Sequence, residues 1–279
     1  DIGETYPEVS YDEADFLFSM RKFYRKSGVK FVVIIDEWDA VFREYADDKD
    51  GQREYLDFLR DWMKDQEYIA LAYMTGILPI KKYGVHSALN MFDEYSMIAP
   101  LQLAAYTGFT EDEVQKWCRR CGRSFPDIKN WYDGYIVSDV VPPDPECVMR
   151  EAATALQGKI YALYSPLSVV KALRTGRIDN YWNQTETYEA LAKYIRWNYD
   201  GLKEDVAVLM DGGRIRVNIT GYQNDMTSFQ SKDDIYTMLV HLGYLGYLPE
   251  NNEFGEVFIP NKEVLDVFKT STRSDEWTV

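Results

Sequence analysis

Asp36 and Glu37 stand side by side immediately after Phe31-Val32-Val33-Ile34-Ile35. Two adjacent carboxylates at the end of an apolar, β-branched run suit one chemistry in particular. The first can hold the water shell of a Mg²⁺ ion, and the second can orient a water for attack on a phosphate. The run itself reads as a strand covered on both faces, as in a parallel sheet. Such sheets bind ligands beyond the carboxyl ends of their strands, where the two acids fall. Asp is also a favoured helix N-cap, so Asp36 has a second use in opening the helix that begins near Trp38. A third use is acid–base attack on a glycosidic bond. Adjacent strand residues point to opposite faces, which suits that chemistry poorly.

A second apolar run, Tyr68 to Thr75, ends in Thr75-Gly76. Between the runs Tyr55, Leu56, Leu59, Trp62 and Met63 recur at helical spacing. Strand, helix, strand is a right-handed crossover, and it brings both strand tips to one sheet edge. Thr75 then lies beside Asp36 and Glu37, where a hydroxyl can sense a γ-phosphate or the attacking water. Its other use is to cap the turn that follows. The acid pair has the pattern of a Walker B segment. Its usual companion is missing, because GxxxxGK[ST] occurs nowhere, and Gly158-Lys159 is followed by Ile160. That loop would supply the backbone cradle and the lysine for the β- and γ-phosphates. Residues 1–35 leave no room for such a loop with its helix and a further strand. The expectation is therefore a piece of a longer chain, in which one flank of the 31–35 strand has unpaired backbone groups and Val32 to Ile35 are less enclosed than their sequence suggests.

Composition limits the alternatives. With 279 residues, 46% of them hydrophobic and 15% aromatic, the chain can build a sizeable core in two or three small domains. Against 31 basic residues stand 46 acidic ones, a net charge of −15, which opposes broad contact of the average surface with nucleic acid or anionic membrane. A local basic site is not excluded. No apolar run reaches the roughly 18 residues of a membrane span. Cys118, Cys121 and Cys147 fit a reducing cytosol, hence a cytoplasmic location. Cys118 and Cys121 form a CxxC, but no second pair exists, and His86 and His241 are the only histidines. A structural zinc needs four ligands. The pair reads instead as two buried thiols on one helix face.

Along the chain, Ser10 to Glu13 is a capping box opening a helix to about Lys26, closed by Gly28. After Thr75 a short helix is expected over 87–92 and a third strand over 95–99. Thr110 to Glu113 is a second capping box, and Gly122 closes its helix. The pattern then stays helical to about Asp200, apart from Trp131-Tyr132-Asp133-Gly134-Tyr135 and a proline-rich loop at 142–145. Pro166 suits the first turn of a helix over 167–175. The last third reads as helix 233–242, strand 244–248, a turn at Asn251-Asn252, strand 257–259 and helix 261–268. Helix then hairpin implies a winged-helix-like module. Its acids, among them Asp233, Asp234, Glu250, Glu256 and Glu263, oppose a DNA-reading wing. Trp131, Tyr132, Tyr135, Tyr181 and Trp182 have two uses, a stacking platform or core, and the area they bury favours core.

Several segments in order, IIDEWDAVFREY, YLDFLRDWMKDQ, ALAYMTGILPIKKYG, SALNMFDEYSM, YTGFTEDEV, NWYDGY, YSPLSVVKAL, NYWNQTETYEAL and VFIPNKEV, resemble the predicted AAA-ATPase-like proteins of bacteria. The resemblance implies an α/β fold with part of a P-loop NTPase-type parallel sheet, a helical lid and the winged-helix-like module. Residues 1–103, 104–200 and 201–279 would form these parts. It also implies ATP and Mg²⁺ as ligands, with Asp36 holding Mg²⁺ through water, Glu37 orienting the attacking water and Thr75 as the sensor. A PD-(D/E)XK nuclease-like domain commonly follows in such proteins, so a downstream domain or another protein is the expected partner. Lacking the phosphate loop, this chain alone would bind and hydrolyse ATP poorly. The rival expectation is a non-catalytic interaction module that keeps an ATPase-like fold.

Overall fold

The computed structural model describes residues 5–6, 15–45, 47–77, 89–140, 158–182, 201–222, 229 and 231–272. In the first of two compact units, residues 1–94, helix α1 (Phe16–Ser27) starts where the Asp15 carboxylate accepts from the Phe18 amide at 2.9 Å, and Gly28 ends it. The capping box at 10–13 lies outside the described residues. Strand β1 (Phe31–Ile35), helix α2 (Ala40–Glu44), helix α3 (Lys49–Met63) and strand β2 (Ile69–Met74) follow. The two strands pair in parallel, with Ile35 opposite Met74. The strand–helix–strand unit read from the apolar pattern is therefore present.

Among the described residues its sheet is covered on one side only. Val33 packs into a core with Trp38, Leu59, Met63 and Leu89, and the α3 stripe of Tyr55, Leu56 and Trp62 joins it. On the other face Val32 is 59% exposed, Ile34 72%, Leu71 56% and Tyr73 51%. A strand covered on both faces, as the run alone suggests, is thus corrected. The expectation that Val32 to Ile35 are less enclosed holds at Val32 and Ile34, while Val33 is buried. α1 and α3 share the inner side, where Phe16 meets Trp62 and Phe23 meets Phe31. Among the described residues β1 and β2 pair only with each other. Residues 95–99 form no strand, and of 87–92 the described 89–92 form a turn, not a helix.

The Phe31 amide donates to the Tyr68 carbonyl at 2.7 Å. By strand alternation the Val33 and Ile35 amides also face β2, while Val32 and Ile34 face the open edge. Hydrogen exchange should therefore be faster at Val32 and Ile34 than at Val33 and Ile35. Equal, strong protection at all four in a monomer would contradict the open edge.

The second unit, residues 95–279, holds two antiparallel sheets. A 3-10 helix (Leu101–Tyr106) leads to β3 (Phe109–Thr110), helix α4 (Glu111–Cys121), helix α5 (Phe125–Tyr132), β4 (Asp133–Ser138), β5 (Ile160–Tyr164) and helix α6 (Pro166–Thr175). The strand order is β3-β5-β4. The Thr110 amide donates to the Glu113 carboxylate at 2.9 Å, one of the two bonds of a capping box, and the Thr110 hydroxyl donates to the same oxygen at 2.8 Å. The helical reading of 110–200, the expected lid, is corrected at β4 and β5. There alternation buries Tyr135 and Val137 on one face, a period-2 signal within aromatic and β-branched residues.

Helix α7 (Leu202–Met210), β6 (Ile215–Asn218), helix α8 (Lys232–His241), β7 (Gly246–Pro249), β8 (Phe254–Phe258) and helix α9 (Lys262–Ser271) complete the unit. Here the order is β6-β8-β7, so the expected hairpin gains a third strand that its four-residue length hid from sequence reading.

Three of the aromatic-rich segments meet at one junction. Tyr132, fully buried, donates its hydroxyl to the Asp179 carbonyl at 2.8 Å, and the Tyr135 hydroxyl donates to Gly243 at 2.6 Å. Glu263, also fully buried, accepts from the Tyr181 amide at 2.7 Å, and burial pushes its carboxyl above the usual range. Trp182 lies against Tyr244. These aromatics are core, and Glu263 is a structural acid. Gly134 sits among them with φ +147, and a Cβ there would lie 1.6 Å from the Pro260 carbonyl oxygen. Backbone cannot step aside as a side chain can. Gly134→Ala should cost about 3 kcal/mol or more in chemical denaturation. Gly122→Ala, where φ is +63 and space is open, should cost about 1 kcal/mol. Similar losses for both would contradict the close approach.

Candidate functional site

Parallel pairing carries the chain from each strand straight into one cluster. The Thr75 amide donates to the Ile35 carbonyl at 2.9 Å, and the Trp38 amide to the Thr75 carbonyl at 2.9 Å. Thr75 Oγ1 donates to Asp36 Oδ1 across the strand ends. Asp36 and Glu37 are exposed and Thr75 is half-buried. Glu37 adopts φ +53, a left-handed backbone that costs a non-glycine residue about 1–3 kcal/mol. Strain of this kind persists only where surrounding contacts hold it.

Those contacts come from residues that the sequence reading did not single out. Asp39, fully buried, accepts from the Ile77 amide at 3.1 Å. Arg43, on α2, reaches back to both acids. Its Nη2 donates to Glu37 Oε2 at 2.8 Å, and its Nε lies 3.5 Å from Asp39 Oδ2, long for a hydrogen bond. From α3 the Tyr55 hydroxyl donates to the Trp38 carbonyl at 3.0 Å. Burial, then the Asp39 charge, pushes the Tyr55 hydroxyl above its ordinary range and keeps it a donor. Gly76 packs so closely that a Cβ would lie 2.7 Å from the Trp38 indole and from Asp39 Oδ1. The missed signal was the i, i+4 spacing of Asp39 and Arg43, which places both on one helix face.

The arrangement leaves Asp36 and Glu37 facing solvent on a base braced by Trp38, Asp39 and Gly76. Chemically it offers one carboxylate bonded to a hydroxyl and one bonded to a guanidinium. Among the described residues no three His, Cys, Asp or Glu side chains converge as a metal cage. Elsewhere, Cys118 is buried and Cys121 exposed, so the reading of two buried thiols holds for the first alone. Cys147 and His86 lie outside the described residues. His241 stacks on Tyr222, and burial lowers its pKa to about 4.

Residues 4–86 match the family model described as Predicted AAA-ATPase. That stretch holds Asp36, Glu37 and Thr75, and it bears out the resemblance read from the segments there. No curated protein matches the chain, and no solved structure does.

Asp39 and Glu37 should respond differently to mutation. Asp39→Ala removes a buried, charge-assisted partner of a backbone amide and should cost about 2–3 kcal/mol. Glu37→Gln alters an exposed pair and should stay within about 1 kcal/mol. Urea melts check both, and equal losses would contradict the division between brace and exposed acid.

Proposed function

We propose that the N-terminal unit is the Walker B and sensor portion of an ATP-driven switch whose ligand is Mg-ATP. The observation that carries this reading is the Thr75–Asp36 bond across two parallel strand ends, beside a Glu37 held at positive φ. In this reading Asp36 holds Mg²⁺ through water, Glu37 orients the attacking water and Thr75 senses the γ-phosphate. The match of residues 4–86 to an ATPase-like family supports it, as does the parallel pair, which suits part of a P-loop-type sheet. The region 104–200 then serves as the lid. Residues 201–279 are the winged-helix-like module, a reading supported by α8 and the β7–β8 hairpin. Most triphosphate affinity belongs to a phosphate loop, and no such loop is found in these 279 residues. The chain by itself should therefore bind Mg-ATP weakly and turn it over negligibly. A cytosolic setting, with a nuclease-like domain or another protein as partner, accompanies the proposal.

The apolar outer face of β1 and β2 favours a second reading, a non-catalytic interaction module that keeps the fold. Among the described residues no helix is long and apolar enough to cross a membrane.

Turnover by the product of the full reading frame separates the two. Glu37→Gln there should lower ATP hydrolysis by about 100-fold or more while leaving bound nucleotide in place. Unchanged turnover in that variant would overturn the role of Glu37. Absence of Mg-ATP binding by the full-frame protein would favour the interaction module. Calorimetry on the 279-residue chain giving low-micromolar Mg-ATP affinity would contradict the need for a separate phosphate loop.

A further inference from the structure

The net charge of −15 hides an uneven distribution. On α4, Lys116, Arg119 and Arg120 sit at i, i+3 and i+4, with Arg123 just past the helix end. Val114 and Cys118 face the core on the opposite side, so these cations form one exposed stripe. Arg123 folds onto α6, where its Nε donates to the Leu173 carbonyl at 3.2 Å and its guanidinium lies against Gly176. That contact brings Arg174 and Arg177, both exposed, to the end of the stripe.

These cations differ from four others on the unit. Lys129, Arg214, Arg216 and Lys232 are each paired with an acid, Glu111, Glu256, Glu250 and Asp205 respectively. Among the described residues Lys116, Arg119, Arg120, Arg174 and Arg177 make no ion pair. Helix dipoles account for cations in a last turn, and their influence fades within that turn. They account for Arg119, Arg120 and Arg174, but not for Lys116 before the last turn of α4 or Arg177 beyond α6. Trp117 adds a second, independent feature. Its indole is 43% exposed, and the Arg120 guanidinium lies 5.3 Å from the ring centroid.

We propose that the stripe on α4, continued by the end of α6, is a docking surface for a single-stranded nucleic acid. Arginines take phosphate oxygens bidentately, and an exposed indole offers a face for an unpaired base. An acidic protein segment would use the cations but gain little from the exposed part of the ring. Within α4 the stripe runs about 6 Å along the helix axis from Lys116 to Arg120, and Arg123, Arg174 and Arg177 continue it. Asp112, one turn before Lys116 on the same face of α4, is an acid beside the stripe, while acids more than about 10 Å away are largely screened at physiological salt. The proposal is independent of the ATPase site and uses none of Asp36, Glu37 and Thr75, although its residues lie in the region read as the lid.

Fluorescence anisotropy of labelled dT12 with the full 279-residue chain tests it. Binding should weaken by roughly 50-fold between 50 and 200 mM salt, as expected for about four phosphates. Arg119→Glu with Arg120→Glu should abolish it, and Arg174→Glu with Arg177→Glu should weaken it about 10-fold or more. Trp117→Ala should lower affinity by about 10-fold. Arg53→Glu, a like charge change in the other unit, should leave it unaltered. All these side chains are exposed, and circular dichroism verifies that each variant is folded. No binding of dT12 at low salt would overturn the proposal, as would binding indifferent to the α4 reversals. A poly-glutamate peptide that competes equally, with no effect of Trp117→Ala, would assign the surface to an acidic protein instead.

Discussion

Parallel pairing of two strands is the constraint on which the candidate site depends. Strands that run the same way must end at the same edge, whatever helix connects them. Once β1 and β2 pair in register, Asp36 and Thr75 become neighbours although 39 positions separate them in the chain. The backbone continues the ladder one step past each strand, through the Thr75 and Trp38 amides, and this sets the side chains beyond it. Asp39, Tyr55 and Gly76 then hold the turn that carries Glu37 into a left-handed conformation. The exposed acids owe their position to a buried brace. Arg43 spans both, touching the brace at Asp39 and the exposed acid at Glu37.

The same sheet shows what a two-stranded parallel pair lacks. Parallel sheets ordinarily carry helices on both faces. α3 and α1 seal one side of β1 and β2, while Val32, Ile34, Leu71 and Tyr73 face outward. The second unit solves its packing differently. It joins two antiparallel sheets through side-chain bonds to backbone from Tyr132, Tyr135, Asn180 and Glu263, around a glycine that lies against Pro260. Aromatic segments with the look of a ligand platform are used there to fix one strand–helix junction against another.

Much of this was legible in the sequence, where local rules and tertiary packing agree. The β1–α3–β2 unit followed from an apolar run, a helical stripe and a second apolar run. The α4 capping box and the first turn of α6 followed from single residue types. Legibility failed where a local signal was short or ambiguous. β4 and β5 are six and five residues long and sit between helices, so their alternation was absorbed into a helical pattern. β6, four residues long, gave no periodic signal. At the site, Asp36, Glu37 and Thr75 were visible because strand ends are predictable. Asp39 and Arg43 were missed although their i, i+4 spacing was there to see, because that spacing says nothing of the burial and the turn conformation from which their roles arise. The open outer face of β1 was expected from the absent phosphate loop, not from the apolar run. Five consecutive apolar residues signal burial on both faces, and nothing in the run itself says whether a cover is present.

The central claim is that the edge carrying Asp36, Glu37 and Thr75 faces nucleotide and its metal ion. Chemical-shift mapping of the amides during titration with Mg-ATP tests this most directly. The account predicts shifts concentrated at residues 36–39 and 75–77, at millimolar nucleotide, that shrink when Mg²⁺ is omitted. Shifts centred elsewhere, or identical with and without Mg²⁺, would contradict it.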